Sequence, residues 1–272
     1  MDRQNLAARR DRVGEIVVAG ASSPSFFFLY NCGWKPQPHR NSPMSLSETT
    51  LLPFKPFDES ADIRIYYNGF LPHWRQAGCT YFVTFRLADS IPDGVLQQWK
   101  YERGMWLQAR GIDAASEDWL VKFKQLSSKE KKLFERHFVS RFFSKLDEGL
   151  GECVLRIPQH AKLVSDALIY FHGQRLDTGD FVVMPNHVHA LLTPYPGFEL
   201  ENILHSIKSY TANEIQALRG TSGTLWMNES HDHIARDGEE LVRIQEYIRA
   251  NPEKAGLSSN EFVLNTARYK LH

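Results

Sequence analysis

His187 and His189 stand two residues apart in the run DFVVMPNHVHALLTP, residues 180–194. In a strand, successive side chains alternate between faces, so both imidazoles point the same way, with Leu191, while Val188, Ala190 and Leu192 point opposite. Two imidazoles side by side on a rigid strand suit chelation of a divalent metal. Histidine is also intermediate in burial preference, and a pair of hydrogen-bonded edge residues has the same spacing. Spacing alone leaves both readings open. A second pair lies in LVRIQEYIRANPEKAGL, where Tyr247 and Asn251, four positions apart, share one helical face. By periodicity alone, Tyr247 is an aromatic at the edge of the stripe Leu241, Ile244 and Ile248, and Asn251 is the residue before a helix-ending proline.

Elements must bring these residues together. Phe181–Met184 and His187–Leu192 are two apolar runs around Pro185-Asn186 and read as a β-hairpin. Residues 80–87, rich in β-branched and aromatic side chains, predict a core strand. Helices are expected over residues 95–110, from Pro158 through Phe171, over 200–218 and over 239–251, the last capped by Asp237 and stopped by Pro252. Ser127-Ser128-Lys129-Glu130 resembles a helix start, and Leu133, Phe134, Phe138, Phe142 and Leu146 follow at helical steps. The lysines of that region read as a solvated helix face.

The chain has 272 residues and a formal net charge of zero, so no global positive field advertises a nucleic-acid partner. Its three cysteines are far apart, with neither zinc spacing nor a disulfide framework, which fits a reducing, cytoplasmic setting. The apolar run at residues 25–30 is too short to span a membrane, and no signal peptide is convincing. Residues 1–60 are broken by prolines and are expected to be a disordered or non-native extension, with Met44 as the true start. The functional domain is expected over residues 61–272, with a helical insertion around 93–150.

The combination of MPNHVHALLTP, ILHSIKSYTANEI, LWMNESHDHIARD and YIRANPEKAGL, in that order, resembles the REP-associated tyrosine transposases, relatives of the single-tyrosine HUH transposases. A histidine triplet alone is a weak motif; followed downstream by Tyr-Ile-x-x-Asn-Pro-x-Lys-Ala-Gly it is specific. The resemblance implies an α+β fold, an antiparallel sheet with helices covering one face, close to the ferredoxin-like HUH nuclease domain. It implies that His187 and His189 bind the metal, that Asn251 is a third ligand, and that Tyr247 is the nucleophile, with Tyr210 a decoy. The cofactor would be a divalent Mg or Mn ion. The activity would be cleavage and rejoining of single-stranded DNA through a 5′-phosphotyrosine, at hairpin or repetitive extragenic palindrome DNA, by a monomer or homodimer. Lys208, Trp226, His231, His233, Arg236, Arg243 and Arg249 are the candidate DNA contacts. Acidic Asp237, Glu239, Glu240 and Glu246 lie among them, so a basic groove must draw on other segments, with the lysine-rich helix as the candidate.

Other classes fit less well. Histidine-triad phosphoesterases need a third histidine where Leu191 stands, and two-motif phosphoesterases need a second His-x-Thr or His-x-Ser that is lacking. The alternative is a catalytically idle protein that binds DNA or RNA hairpins.

Overall fold

The computed structural model describes residues 51–67, 72–116 and 118–270. The expected extension and the start at Met44 lie largely outside these residues. Residues 51–57, also assigned to that extension, are part of the packed domain: β1 (Leu51–Pro53) pairs with β9 (Arg268–Lys270), and Leu52 and Phe54 are buried. The packed domain therefore begins no later than Leu51, because two apolar side chains there have a core to enter.

β2 (Arg64–Tyr67) and β3 (Pro72–Arg75) pair with each other, and the central sheet is fully antiparallel, running in the order β7 (His231–Ile234), β4 (Tyr81–Arg86), β6 (His187–Pro194), β5 (Leu176–Val183) and β8 (Val263–Asn265). The hairpin read from the sequence is β5–β6, in register Val183↔Val188 and Val182↔His189. Every residue of β4, β5 and β6 is buried. Gly179 marks the irregular part of β5, where the Tyr269 hydroxyl lies so close that any Cβ would collide with it.

Helices cover both faces, not one. Val83, Phe85, Val188, Ala190 and Leu192 pack against α5 (Pro158–Tyr170) and α6 (Leu200–Arg219). Phe82, Val182, Met184 and Leu191 pack against Leu241, Ile244 and Ile248 of α7 (Gly238–Lys254). The reason is visible in β6, whose alternate sets of residues are both too apolar to face water; each fully buried aliphatic side chain contributes about 1.5–3 kcal/mol. The fold is thus α+β, an antiparallel sheet with covering helices.

Pro252 lies inside α7, which runs on to Lys254 rather than stopping at Asn251. Proline removes one backbone hydrogen bond there, but only the final turn remains, and Ala255 N still donates to the Asn251 carbonyl. Residues 93–147 form α1 (Asp93–Gln108), α2 (Trp119–Gln125), α3 (Ser128–Phe134), a π turn (Glu135–Val139) and α4 (Ser140–Asp147). The start of α3 is a capping box: Glu130 N donates to Ser127 Oγ, and Ser127 N donates to Glu130 Oε2. The π turn adds a residue to the helical turn and so re-aims everything after it, including Phe142, Phe143 and Asp147. Leu107, Ile112 and Phe134 form a small core of their own for this segment.

Candidate active site

The two histidines are built into the middle strands of the sheet. β6 is flanked by β4, with Thr84 opposite His189 and Arg86 opposite His187. His187 and His189 are 1% and 0% exposed. Their Nε2 atoms face each other at 3.0 Å. Each Nδ1 has a partner of its own. His187 Nδ1 is 2.7 Å from Asn186 Oδ1, and His189 Nδ1 is 2.7 Å from Thr84 Oγ1. Asn186 itself is fixed, because its Nδ2 donates to the Leu146 and Leu150 carbonyls. Its Oδ1 must therefore accept, which makes His187 Nδ1 the protonated nitrogen and leaves Nε2 as a lone pair. The Asn of the Met-Pro-Asn turn thus sets the tautomer of the histidine that follows it.

Burial pushes the His187 pKa down to about 3, and burial together with the neighbouring imidazoles takes His189 well below its ordinary value. Both rings are neutral at physiological pH, the state in which imidazole ligates a metal. Asp147, at the end of α4, completes the group: its ligand atoms and those of His187 and His189 all lie within 4.8 Å of one another. Asp147 Oδ1 is 3.8 Å from His187 Nε2 and makes no hydrogen bond. Burial raises the Asp147 pKa, against opposing contributions from Asn251 and Lys254.

α7 brings Tyr247 to the same place. Its hydroxyl is 3.3 Å from His189 Nε2, and its ring meets Phe82 edge-on, while Phe82 stacks on His189. Burial raises the Tyr247 pKa, and the nearby Asp147 charge raises it further, so the phenol is firmly protonated. Lys254, two turns along the same helix, places its ammonium 5.5 Å from the centre of the Tyr247 ring. Asn251 is 1% exposed and sits beside both Asp147 and Tyr247, which respond to it electrostatically. Among the described residues neither polar atom of its amide makes a hydrogen bond of good geometry, and its neighbours Asp147 and Tyr247 are close enough to feel it as a hydrogen-bonding group, which leaves the amide capacity for a ligand.

The donor set fits a divalent ion. Two neutral imidazoles, a carboxylate with an unmatched oxygen and an unmatched amide converge on one spot. The carboxylate supplies the hard oxygen that two histidines alone lack.

Sequence reasoning overlooked Asp147 and Lys254. Lys254 was legible, since a spacing of seven puts it on the face of Tyr247. One signal marked Asp147: an acid in the last turn of a helix opposes the helix dipole and asks for a compensating role. Tyr210 lies on α6, against the opposite core.

Among the expected DNA contacts, Trp226 is 4% exposed, packs edge-on against Phe85 and donates Nε1–H to Thr211 Oγ1. Lys208 is likewise engaged inward: its ammonium donates to the Met227 and Asn228 carbonyls. Arg236 forks onto Glu240, which also lies 3.5 Å from His233. Arg249 pairs with buried Asp180. Arg243 makes an exposed contact to Glu239 and lines a shallow groove with Phe143, Asp147, His233 and Tyr247. His231 turns toward Phe143 beside the histidine pair.

Residues 171–251 match the family described as transposase IS200 like, a span that contains the hairpin, α6 and Tyr247. This segment, under a third of the chain, is therefore similar to that family, in line with the resemblance carried by the motifs. A solved structure of a REP-associated tyrosine transposase bound to a REP hairpin is similar over 71% of this chain and 74% of that chain, at 15% identity and a TM-score of 0.36. No curated protein matches. Among the described residues no helix is long and apolar enough to cross a membrane.

Proposed function

We propose that this protein is a metal-dependent single-stranded DNA endonuclease and strand transferase that works through a 5′-phosphotyrosine at Tyr247. The observation that carries the reading is the placement of the Tyr247 hydroxyl 3.3 Å from His189 Nε2, beside a three-residue metal-ligating group. The Tyr247 oxygen attacks a phosphodiester phosphorus. A Tyr–O–P bond forms, the P–O3′ bond breaks, and the phenolic proton is balanced by the proton the 3′-hydroxyl gains. Attack by a later hydroxyl reverses the step and joins strands.

A raised phenol pKa makes Tyr247 a poor nucleophile at rest, so the site must favour phenolate when DNA is bound. Lys254, with its ammonium 5.5 Å from the ring centre, is a cation that could do that. His187, His189 and Asp147 would hold the metal, with Asn251 as an additional oxygen donor. When bound, a divalent ion supplies Lewis-acid stabilisation of the phosphoryl oxygens. Asn186 and Thr84 orient the two imidazoles through their Nδ1 atoms, and the packed rings of Phe82 and Phe143 exclude water from one side of the site.

The substrate is proposed to be hairpin DNA with single-stranded flanks, consistent with the REP-hairpin-bound transposase named above. Incubation of end-labelled hairpin DNA with Mn, followed by denaturing electrophoresis, should give a cleaved strand with a free 3′-hydroxyl. The H187A/H189A variant should bind the DNA but leave it intact. Undiminished cleavage by that variant would refute the metal role of the pair.

A further inference from the structure

Between the sheet and the 93–147 helical segment lies a cavity of about 120 Å³. One water needs roughly 10–15 Å³ of such space, so there is room for a planar group of roughly ten heavy atoms, the size of a nucleobase. The walls are mostly apolar and aromatic, with Trp99, Phe138 and Phe142 on the helical side. Trp99 and Phe142 are 6.2 Å apart between ring centres, and the Arg86 guanidinium lies 5.6 Å from the Phe142 ring. Arg86 is itself 4% exposed, a buried charge facing the cavity.

The cavity adjoins the candidate active site. Thr84 lines it and also holds His189 Nδ1; His231 lines it and packs on Phe143, which contacts His189. Among the described residues His231 Nδ1 is buried without a hydrogen-bond partner, so a polar atom is available beside the cavity. The lining carries Arg86, Lys100 and Arg103 against Glu229, a positive balance that suits a polyanion's flank. A phosphate would lose its hydration against such walls. A base offers two π faces to the rings and a few edge atoms to His231 and Arg86, as aromatic platforms for single strands do.

We propose that this cavity receives one unpaired nucleobase of the bound strand, close to the scissile phosphate, and so fixes where the strand is cut. The inference rests on the DNA-cleaving reading above. The unused π turn gains a purpose here, because it re-aims Phe142 toward the cavity and Asp147 toward the histidines from one continuous helix.

The test uses the full chain with Tyr247→Phe, so that binding is read without cleavage. DNA hairpins with single-stranded flanks carry 2-aminopurine at one flank position at a time. Insertion predicts a single position whose fluorescence changes several-fold on binding. Trp99→Ala should abolish that change and weaken binding about tenfold, within the range for losing one base–aromatic stack. Met227→Trp, which fills the cavity from the opposite wall, should do the same and guards against misfolding of the first variant. Equal responses at every flank position, with covalent adduct still formed by the unmodified protein on the same strands, would overturn the base pocket alone. A response unchanged by both variants would also overturn it. Strands that neither bind nor form adduct would overturn the cleavage reading and this inference with it.

Discussion

At the scale of single residues, the site depends on matched hydrogen-bond roles. Asn186 and Thr84 each hold one imidazole by Nδ1 and leave Nε2 for a ligand. Thr84→Val removes the partner of His189 while keeping the shape, and should lower Mn affinity by about 10- to 100-fold, as loss of such outer partners does. Isothermal titration with Mn checks this, and unchanged affinity would contradict the role. Asp147→Ala should weaken Mn at least as much, because it deletes a donor with an unmatched oxygen. The histidine pair, Tyr247 and Asn251 were legible as residues because their motif is local in sequence. Asp147 carried only the weak signal of an acid in a helix's last turn, since it arrives from a segment outside the motifs. The burial of Trp226 was not legible, because nothing in LWMNES distinguishes a tryptophan on the surface from one under a sheet.

At the scale of elements, the reach of Tyr247 depends on how α7 is fastened. Asp180 is fully buried in β5 and accepts from Gln245 Nε2 and Arg249 Nε, the residues two before and two after Tyr247. It also accepts from Ala267 N. Asp180→Ala should cost about 1.5–3 kcal/mol, the range for hydrogen bonds to a charged group, read as a lower urea midpoint, and should slow adduct formation by loosening the helix. A second fastening lies across the sheet edge. Asp232 of β7 pairs with Arg75 and His73. Burial alone would raise its pKa, but the hydrogen bonds from His73 and Arg75 and the Arg75 charge hold it below the usual 3.8. A depressed folded pKa means that the stability gained is present above the unfolded value and is lost as pH falls through the folded one. The advantage of the unmodified protein over Asp232→Asn should therefore persist at neutral pH and shrink below about pH 3.8. The hairpin and the main helices could be read from periodicity. The π turn could not, because one extra residue in a turn leaves apolar spacing nearly unchanged, and Pro252 misled because a proline in a last turn costs only one hydrogen bond.

At the scale of the whole molecule, the sheet separates two cores and puts chemistry on one of them. α5 and α6 cover the face of Val188 and Ala190, while α7 and α4 carry Tyr247 and Asp147 to the face of the histidines. The second covered face was readable in β6 itself, where both alternate sets of residues contain apolar members, but α7 had to be placed in space before it counted. Leu241, Ile244, Ile248 and the Asp180 contacts seat α7 on the sheet of its own chain, which brings Tyr247 to the histidines of that same chain. Mixing the H187A/H189A variant with Tyr247→Phe should then fail to restore adduct formation; restored activity would show that the helix is exchanged between copies.

The central claim is that Tyr247 becomes joined to DNA. Hairpin DNA and Mn are incubated with the protein, nuclease trims the attached strand, and trypsin releases the peptide of residues 244–249, IQEYIR. The account predicts a phosphonucleotide mass on that peptide, placed on Tyr247 by fragmentation and absent from Tyr247→Phe. A nucleotide found on Tyr210, or cleaved DNA with no attached peptide, would contradict it.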